Sequence, residues 1–379
     1  MNSPQSELCH VCHLSSVHFA TDTRIFYKYA RSLSSEYRVT VVGLHPNKEV
    51  IEGIHIIPFT EFKYRGTRLF LSWFLMLIKA LRIKANVYHI HDPELLMCAF
   101  FLQKMGKKVI IDVHENIAED IFEKDWLPFK KGVFAIFNVI ERAVCKNNPV
   151  VVSEDSYLER YRQFAPNLRV IHNYVETQHF APFRSSERDP LKLFYMGIIL
   201  ESRCILEILD AMYMLHQKGL RVSFHCVGKL YKRIQTQIES HPNYPILKPY
   251  LFFYDRMLLT EGYKHSVSCG IGLCLIKPMR NAIESKPTKL FEYMACGLPI
   301  VTSHFPLYQS LVDNWGLGVG VDPNYPAQIA DAIQGLIENP LKRAAISDLG
   351  PKVAVTHFDW SSERIKLMAL YNEVLREDF

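Results

Sequence analysis

Short apolar runs rich in β-branched residues alternate with longer helical stretches along almost the whole chain, and this alternation restricts the fold more than any other feature. A strand that reads as a continuous apolar run must be covered on both faces, and where helices separate such strands the helices supply the cover. In the first half, strands are expected at Leu8–His13, Arg38–Gly43, Ile54–Pro58, Val87–His91, Val109–Val113, Val150–Ser153 and Arg169–His172. Helices are expected at Thr23–Ser34, Leu69–Ile83, Glu94–Lys104 and Phe134–Lys146. The polar, proline-containing stretch Phe180–Leu191 interrupts the pattern and reads as a linker. The alternation then restarts, with strands at Lys192–Met196, Arg221–Val227, Tyr250–Tyr254, Cys269–Leu275, Pro299–Ser303 and Gly318–Val321. Helices fit at Ile205–Lys218, Thr288–Cys296, Pro326–Glu338 and Pro340–Asp348.

The expected fold class is therefore α/β, with two Rossmann-like doubly wound domains over residues 1–182 and 192–358 and a ligand cleft between them. A length of 379 residues suits two domains. Hydrophobic residues at 49% and charged residues at 22% exclude a disordered chain, and a net charge of +5 does not predict a nucleic-acid binder. Met1–Glu7 lacks the apolar core of a signal peptide, and the longest apolar run, Leu69–Ile78, falls short of a bilayer span. Nine scattered cysteines then read as reduced thiols, and a cytoplasmic location is expected.

Cys9-His-Val-Cys12-His13 has the spacing of a haem attachment site, but it falls in the first expected strand, where cysteine acts as a small hydrophobe. No Asp-x-Asp pair is present to hold a divalent ion on a diphosphate, so no metal ligand is expected. A diphosphate would have to be met by basic side chains and helix N-termini. The chain also lacks Gly-x-x-x-x-Gly-Lys-Ser/Thr and a Gly-x-Gly-x-x-Gly after its first strand, which counts against ATPase and dehydrogenase readings.

The most informative segment is Asn281–Ser303. Glu284 and Glu292 stand eight positions apart, with Pro287 placed to open a helix that Gly297 stops. The N-terminus of that helix would offer unpaired N–H groups to a phosphate. Glu292, inside the helix, could accept hydrogen bonds from a ribose diol, and Glu284, in the preceding loop, could reach a sugar attached to the phosphate. Pro287-Thr-Lys-Leu-Phe-Glu-Tyr-Met-Ala-Cys-Gly-Leu-Pro-Ile-Val301 resembles the signature of glycosyltransferase family 4, retaining enzymes of the GT-B fold.

The resemblance extends along most of the chain. Phe194-Tyr-Met-Gly197 with Glu201-Ser-Arg203, and Val227-Gly228-Lys229, are similar to the family's strand-end glycine turns and basic residues that meet the donor diphosphate. Ile271–Pro278 resembles the strand that leads into the glutamate motif. Residues 359–379 resemble the family's terminal helix, which returns to the first domain. Ser16–Phe26, His89–Leu95 and Asp112–Glu115 resemble a subgroup that builds bacterial surface polysaccharide. The resemblance implies His114, Glu284 and Arg203 as catalytic residues. It implies Gly197, Arg203, Lys229, Pro287, Thr288, Lys289, Leu290 and Glu292 as donor-binding residues. His18, Asp22, Arg24, His91, Asp92 and Glu115 are its candidates for the acceptor side or the cleft.

The implied reaction transfers a sugar from a nucleoside diphosphate sugar with retention and without a metal or other cofactor. The acceptor would be a glycan or a lipid-linked saccharide, attacking from the side the leaving group vacates. Two first-domain segments, Lys63–Lys84 and Lys124–Lys146, combine bases with large apolar residues and point to peripheral contact with the inner face of a membrane. Two other readings remain open: a sugar-nucleotide 2-epimerase of the same architecture, and a non-catalytic nucleotide or glycan binder.

Overall fold

The computed structural model describes residues 8–114, 121–122 and 129–376. Glu115 and residues 124–128 of the Lys124–Lys146 segment lie outside the described residues. The chain divides into two units, one of Met1–Asn173 with Ser361–Phe379 and one of Tyr174–Trp360.

The strands of the first unit are β1 (His10–Phe19), β2 (Arg38–Leu44), β3 (Glu49–Ile51), β4 (Ile54–Phe59), β5 (Val87–Ile90), β6 (Lys108–Val113), β7 (Val150–Val152) and β8 (Leu168–Val170). They form one sheet in the order β3-β4-β2-β1-β5-β6-β7-β8, parallel except where β3 pairs antiparallel with β4. The sequence reading lacks β3, a three-residue strand turned back by Glu52 and Gly53 at φ 51° and 79°. Left-handed conformation at both turn residues suits a two-residue hairpin.

Chain order runs one way across the sheet from β1 to β4 and the other way from β5 to β8, so the direction switches between β1 and β5. Right-handed crossovers place the helices Arg65–Ile83, Leu96–Lys104 and Lys130–Cys145 on one face. Side-chain alternation along β5 shows both faces. Tyr88 donates its hydroxyl to the Ala80 carbonyl (2.8 Å) of the first of those helices. The next residue, His89, points the other way, with its Nδ1 2.8 Å from the Tyr371 hydroxyl of the terminal helix Trp360–Arg376. Helix Thr23–Ser34, expected as one α-helix, is a wide π-helix over Thr23–Ala30 followed by a single α turn.

In the second unit, β9 (Asp189–Met196), β10 (Ser223–Val227), β11 (Leu251–Tyr254), β12 (Cys269–Cys274), β13 (Ile300–Ser303) and β14 (Gly318–Val321) form a wholly parallel sheet. Their order is β11-β10-β9-β12-β13-β14, and the direction switches between β9 and β12. Phe180–Leu191, expected as a linker, belongs to this unit. Phe180 packs edge-on against Tyr263 with centroids 4.9 Å apart, and Arg188 donates to the carbonyls of Phe183, Ser266, Cys269 and Cys296. Buried phenylalanines and a guanidinium that satisfies four carbonyls outweigh the local proline and serine signals. Pro340–Asp348, expected to stop before Gly350-Pro351, continues to His357, because Gly350 lets the helix approach helix Thr288–Cys296: a methyl there would lie 2.9 Å from the Met294 carbonyl oxygen.

Among the described residues, no helix is long and apolar enough to cross a membrane.

Candidate active site

Parallel sheets bind ligands at the carboxyl ends of their strands where the order switches. In the first unit that place lies beyond β1 and β5. The Asp92 carboxylate, just after β5, accepts from the Ser15 hydroxyl (2.8 Å), the Ser16 amide and hydroxyl, and the Val17 amide (3.2 Å), and so fixes the carboxyl-terminal part of β1. Its other oxygen is buried without a hydrogen bond and faces His18 Nε2 at 3.4 Å. Asp22 Oδ1 caps the Thr23–Ala30 helix through the amides of Arg24 (2.8 Å) and Ile25 (3.1 Å). Its Oδ2 lies 3.8 Å from His18 Nδ1.

Asp112 is the centre of the arrangement. The buried Arg24 guanidinium donates to both its oxygens, Nε to Oδ2 (3.1 Å) and Nη2 to Oδ1 (2.9 Å). His91 Nδ1 (3.0 Å) and His114 Nε2 (2.6 Å) share Oδ2. His91 Nε2 in turn meets His13 Nδ1 at 2.9 Å, and the rings of His13, His89 and His91 stack. Burial would raise the Asp112 pKa, but Arg24 and His114 more than reverse this and hold it well below the usual carboxylate range. Burial lowers the His114 pKa while the Asp112 charge raises it, and the net direction is upward. A carboxylate bound to an imidazolium is thus the favoured state of this pair, with Nε2 toward Asp112.

His13, His89 and His91 have the opposite shift. Burial is the first cause for each, and their pKa values fall below the ordinary 6.5. The unfolded chain therefore binds their protons at higher pH than the folded chain does. The stability they confer is present above about pH 6.5 and is lost as the pH falls below it. His114 acts in the other sense: its contribution is present below 6.5 and lost as the pH rises through its raised value. His10, His216, His225 and His265 are depressed as well, burial being the first cause for each, so among the described residues depressed imidazoles outweigh the one raised, and the melting temperature followed by circular dichroism is expected to drop between about pH 7 and pH 5. A melting temperature that holds or rises over that window would contradict the assignment.

Among the described residues two groups have metal-ligand spacing, His13 with His89 and His91, and His91 with Asp112 and His114. The first three rings lie nearly parallel, at 21–30° to one another, so their in-plane lone pairs do not converge on one point. In the second group the Arg24 guanidinium already provides the positive charge on Asp112. Neither arrangement fits a metal well. Cys12 is buried in β1, all nine cysteines are free, and burial pushes the Cys12 thiol pKa up, as expected of a hydrophobic role.

In the second unit the switch point lies beyond β9 and β12. Gly197 and Gly228 end β9 and β10 at φ 149° and 151°, and a methyl on Gly228 would sit 1.9 Å from the Gly197 carbonyl oxygen. Only glycine fits so close a backbone approach in that conformation. Helix Thr288–Cys296 starts immediately after Pro287 and ends at Gly297 in the left-handed conformation, where the Leu298 amide bonds the Tyr293 carbonyl (2.9 Å). The Tyr293 hydroxyl bonds the Leu273 carbonyl and the Met196 amide (both 3.3 Å), which fixes the helix against β12 and β9.

This places the Lys289 ammonium beside the Gly197 turn, 2.9 Å from where a Cβ on that glycine would stand, with the Tyr195 ring centroid 5.4 Å away. Burial, then the nearby Arg203 charge, lower its pKa. Among the described residues it has no ion-pair partner. Arg203 lies at the end of the turn Glu201–Arg203, and Lys229 is exposed with its ammonium over the Tyr231 ring. Glu292 is buried and accepts a 2.5 Å hydrogen bond from the Tyr263 hydroxyl. Leu290 is part of the core, and Glu284, expected in a loop, ends the short helix Arg280–Glu284.

The structure thus brings His18, Asp22, Arg24, His91, Asp92 and His114 together in the first unit. Gly197, Arg203, Lys289 and the start of the Thr288 helix come together in the second. Asp112 was missed as a site residue, although an acid directly after Val109-Ile-Ile111 in an apolar strand is itself a signal of a buried partner. A cavity of about 230 Å³ adjoins the first cluster. A larger one, about 530 Å³, lies at the opposite, amino ends of β6 to β8 and is lined chiefly by lysines, asparagines and prolines.

Residues 178–353 match the family described as Glycosyl transferases group 1. No curated protein is similar enough in sequence to match. Among solved structures, sucrose-phosphate synthase from Thermosynechococcus elongatus superposes with a TM-score of 0.74 at 16% identity, covering 97% of this chain and 99% of its own. HepE from Anabaena, solved in complex with UDP-glucose, gives 0.71 at 13% identity, with 97% and 100% covered. WaaG, a glycosyltransferase involved in lipopolysaccharide biosynthesis, gives 0.70 at 11%, with 95% and 99% covered. The second unit matches the group 1 glycosyl transferases in sequence, and the chain has the two Rossmann-like domains of the GT-B glycosyltransferase fold.

Proposed function

We propose that the protein transfers a sugar from a nucleoside diphosphate sugar to a hydroxyl of a glycan or lipid-linked saccharide in surface-polysaccharide synthesis, with retention and without a metal. The observation that carries this reading is the half-buried Lys289, whose ammonium lies against the Gly197 turn at a helix N-terminus with no ion-pair partner among the described residues. A partly desolvated cation without an ion-pair partner is costly unless a ligand provides one, and a diphosphate has the matching charge. The family match over residues 178–353 and the likeness to a UDP-glucose-binding fold support the same reading.

In this mechanism Lys289, Arg203 and the amides at the start of the Thr288 helix stabilise the charge that grows on the departing diphosphate. Lys229 adds a weaker, exposed charge. Glu292, oriented by Tyr263, holds the ribose, and Glu284 holds hydroxyls of the donor sugar, so the reacting carbon is oriented. His114, kept as an imidazolium by Asp112, contacts the transferred sugar. The acceptor hydroxyl attacks from the leaving-group side and passes its proton to the leaving phosphate.

The test is release of nucleoside diphosphate from a panel of sugar nucleotides with EDTA present. Turnover that requires added divalent metal would overturn the metal-free mechanism. Interconversion of the donor without transfer would favour the 2-epimerase. Nucleotide binding without either reaction would favour the binding module. Glu292→Ala is expected to weaken binding of the cognate nucleotide by roughly tenfold or more in titration calorimetry, since hydrogen bonds to a charged group contribute about 1.5–3 kcal/mol. Unchanged affinity would remove Glu292 from the ribose site.

A further inference from the structure

Two helices of the first unit expose large apolar side chains that nothing among the described residues covers. On helix Arg65–Ile83, Phe70 is 72% exposed and Phe74 48%, with Leu71 and Leu75 on the same side. Ser72, Met76 and Ala80 form the opposite, buried side. Ahead of helix Lys130–Cys145, Phe129 is 88% exposed, and on the helix Ile136 is 66% and Val139 67% exposed. Both helices lie on one face of the sheet and pack on helix Leu96–Lys104 between them, where Trp73 stacks on Phe101 with centroids 5.6 Å apart. Each begins at the carboxyl edge of the sheet, so the exposed apolar residues of their first turns lie toward the edge that carries His18 and His114.

The exposed charge on the two helices has one sign. Helix Arg65–Ile83 contains no acidic residue. Helix Lys130–Cys145 contains one, Glu141, which is buried and accepts from Arg160 and from the Tyr161 hydroxyl (2.5 Å). Lys63, Arg82, Lys131 and Arg142 are exposed around the apolar side chains.

We infer that this face docks on the surface of an anionic lipid bilayer. Exposed phenylalanines and aliphatic side chains flanked only by bases are what an interfacial helix needs: the apolar groups enter the acyl boundary and the bases stay with anionic headgroups. Neither helix can cross a bilayer, so both lie along it. A second copy of this chain would bring the same bases against one another at a two-fold contact, which disfavours self-association. Docking also has a consequence for the acceptor side. The 230 Å³ cavity is lined by Arg68 of the first helix, Phe137 and Glu141 of the second, and His18, Asp92 and His114. The docked face would therefore present that cavity to a saccharide carried on a lipid. This last point rests on the proposed transfer reaction, whereas docking itself does not.

Flotation of the full chain with phosphatidylcholine vesicles, with and without roughly one-third phosphatidylglycerol, tests docking separately from activity. The protein is expected to float with the anionic vesicles and to stay behind with the neutral ones. Phe70→Ser/Phe74→Ser and Ile136→Ser/Val139→Ser should each reduce the floating fraction by at least about tenfold. Lys131→Glu/Arg142→Glu should reduce it most at low salt, and added salt should narrow the difference from wild type. All six positions are exposed or half-exposed, and circular dichroism melts check that the variants fold. Three results would overturn the inference: no flotation with anionic vesicles, variants that float like wild type, or light scattering that shows a dimer which the serine variants dissociate.

Discussion

Asp112→Ala is expected to destabilise the first unit by about 3–5 kcal/mol and to lower turnover by at least about a hundredfold. The carboxylate it removes neutralises a buried Arg24 guanidinium and accepts from His91 and His114. Arg24 Nη1 is already buried without a partner, so the substitution leaves an entire guanidinium without a counter-charge. It also removes the interaction that raises the His114 pKa, and the imidazolium is lost at neutral pH. Urea unfolding measures the first effect and initial rates across pH the second. Asp112→Asn separates them: it keeps the shape but not the charge, so the activity limb assigned to His114 should move to lower pH. Arg24→Leu/Asp112→Leu should recover part of the stability without the activity, because removing both members of a buried ion pair costs less than removing one. Stability within about 1 kcal/mol of wild type for Asp112→Ala would show that the pair is not buried as described.

Lys289→Ala is expected to lower the rate of sugar transfer by about 10²–10³-fold, the usual effect of removing one preorganised group from a developing negative charge. Its effect on the fold should have the opposite sign to that of Asp112→Ala. The ammonium is partly desolvated with no ion-pair partner among the described residues, so Lys289→Met, which keeps the volume, should leave the melting temperature unchanged or raise it. Initial rates with the cognate donor and thermal melts read the two effects. A rate within about twofold of wild type would remove Lys289 from the diphosphate site and leave Arg203 as the principal charge. A lowered melting temperature for Lys289→Met would show that the ammonium has a structural partner.

Much of the architecture could be read along the chain because each strand and helix carries its own burial pattern. The runs Arg38–Gly43 and Val109–Val113 appear as β2 and β6, each within a residue of its expected limits. Helix Thr288–Cys296 has the bounds that Pro287 and Gly297 imply. The errors arise where distant parts of the chain override a local signal. Phe180–Leu191 looks like a linker until Tyr263 and the Arg188 carbonyl contacts are in place. The segment 340–357 looks like a shorter helix until Gly350 meets Met294. Strand β3 was too short to show a period.

The candidate site divides in the same way. The sequence by itself determined the elements, the strand-end positions of His18, His91, Asp92 and His114, and the spacing of Glu284 and Glu292, since these follow from local pattern and motif. Only the tertiary structure decided which charges neutralise one another. Arg24 and Asp112 are 88 residues apart and meet because β1 and β6 flank β5 in one sheet. Lys289 meets the Gly197 turn because Tyr293 fixes its helix against β9 and β12. Ionic partnership depends on distance and burial together, and neither exists until strands distant along the chain lie side by side.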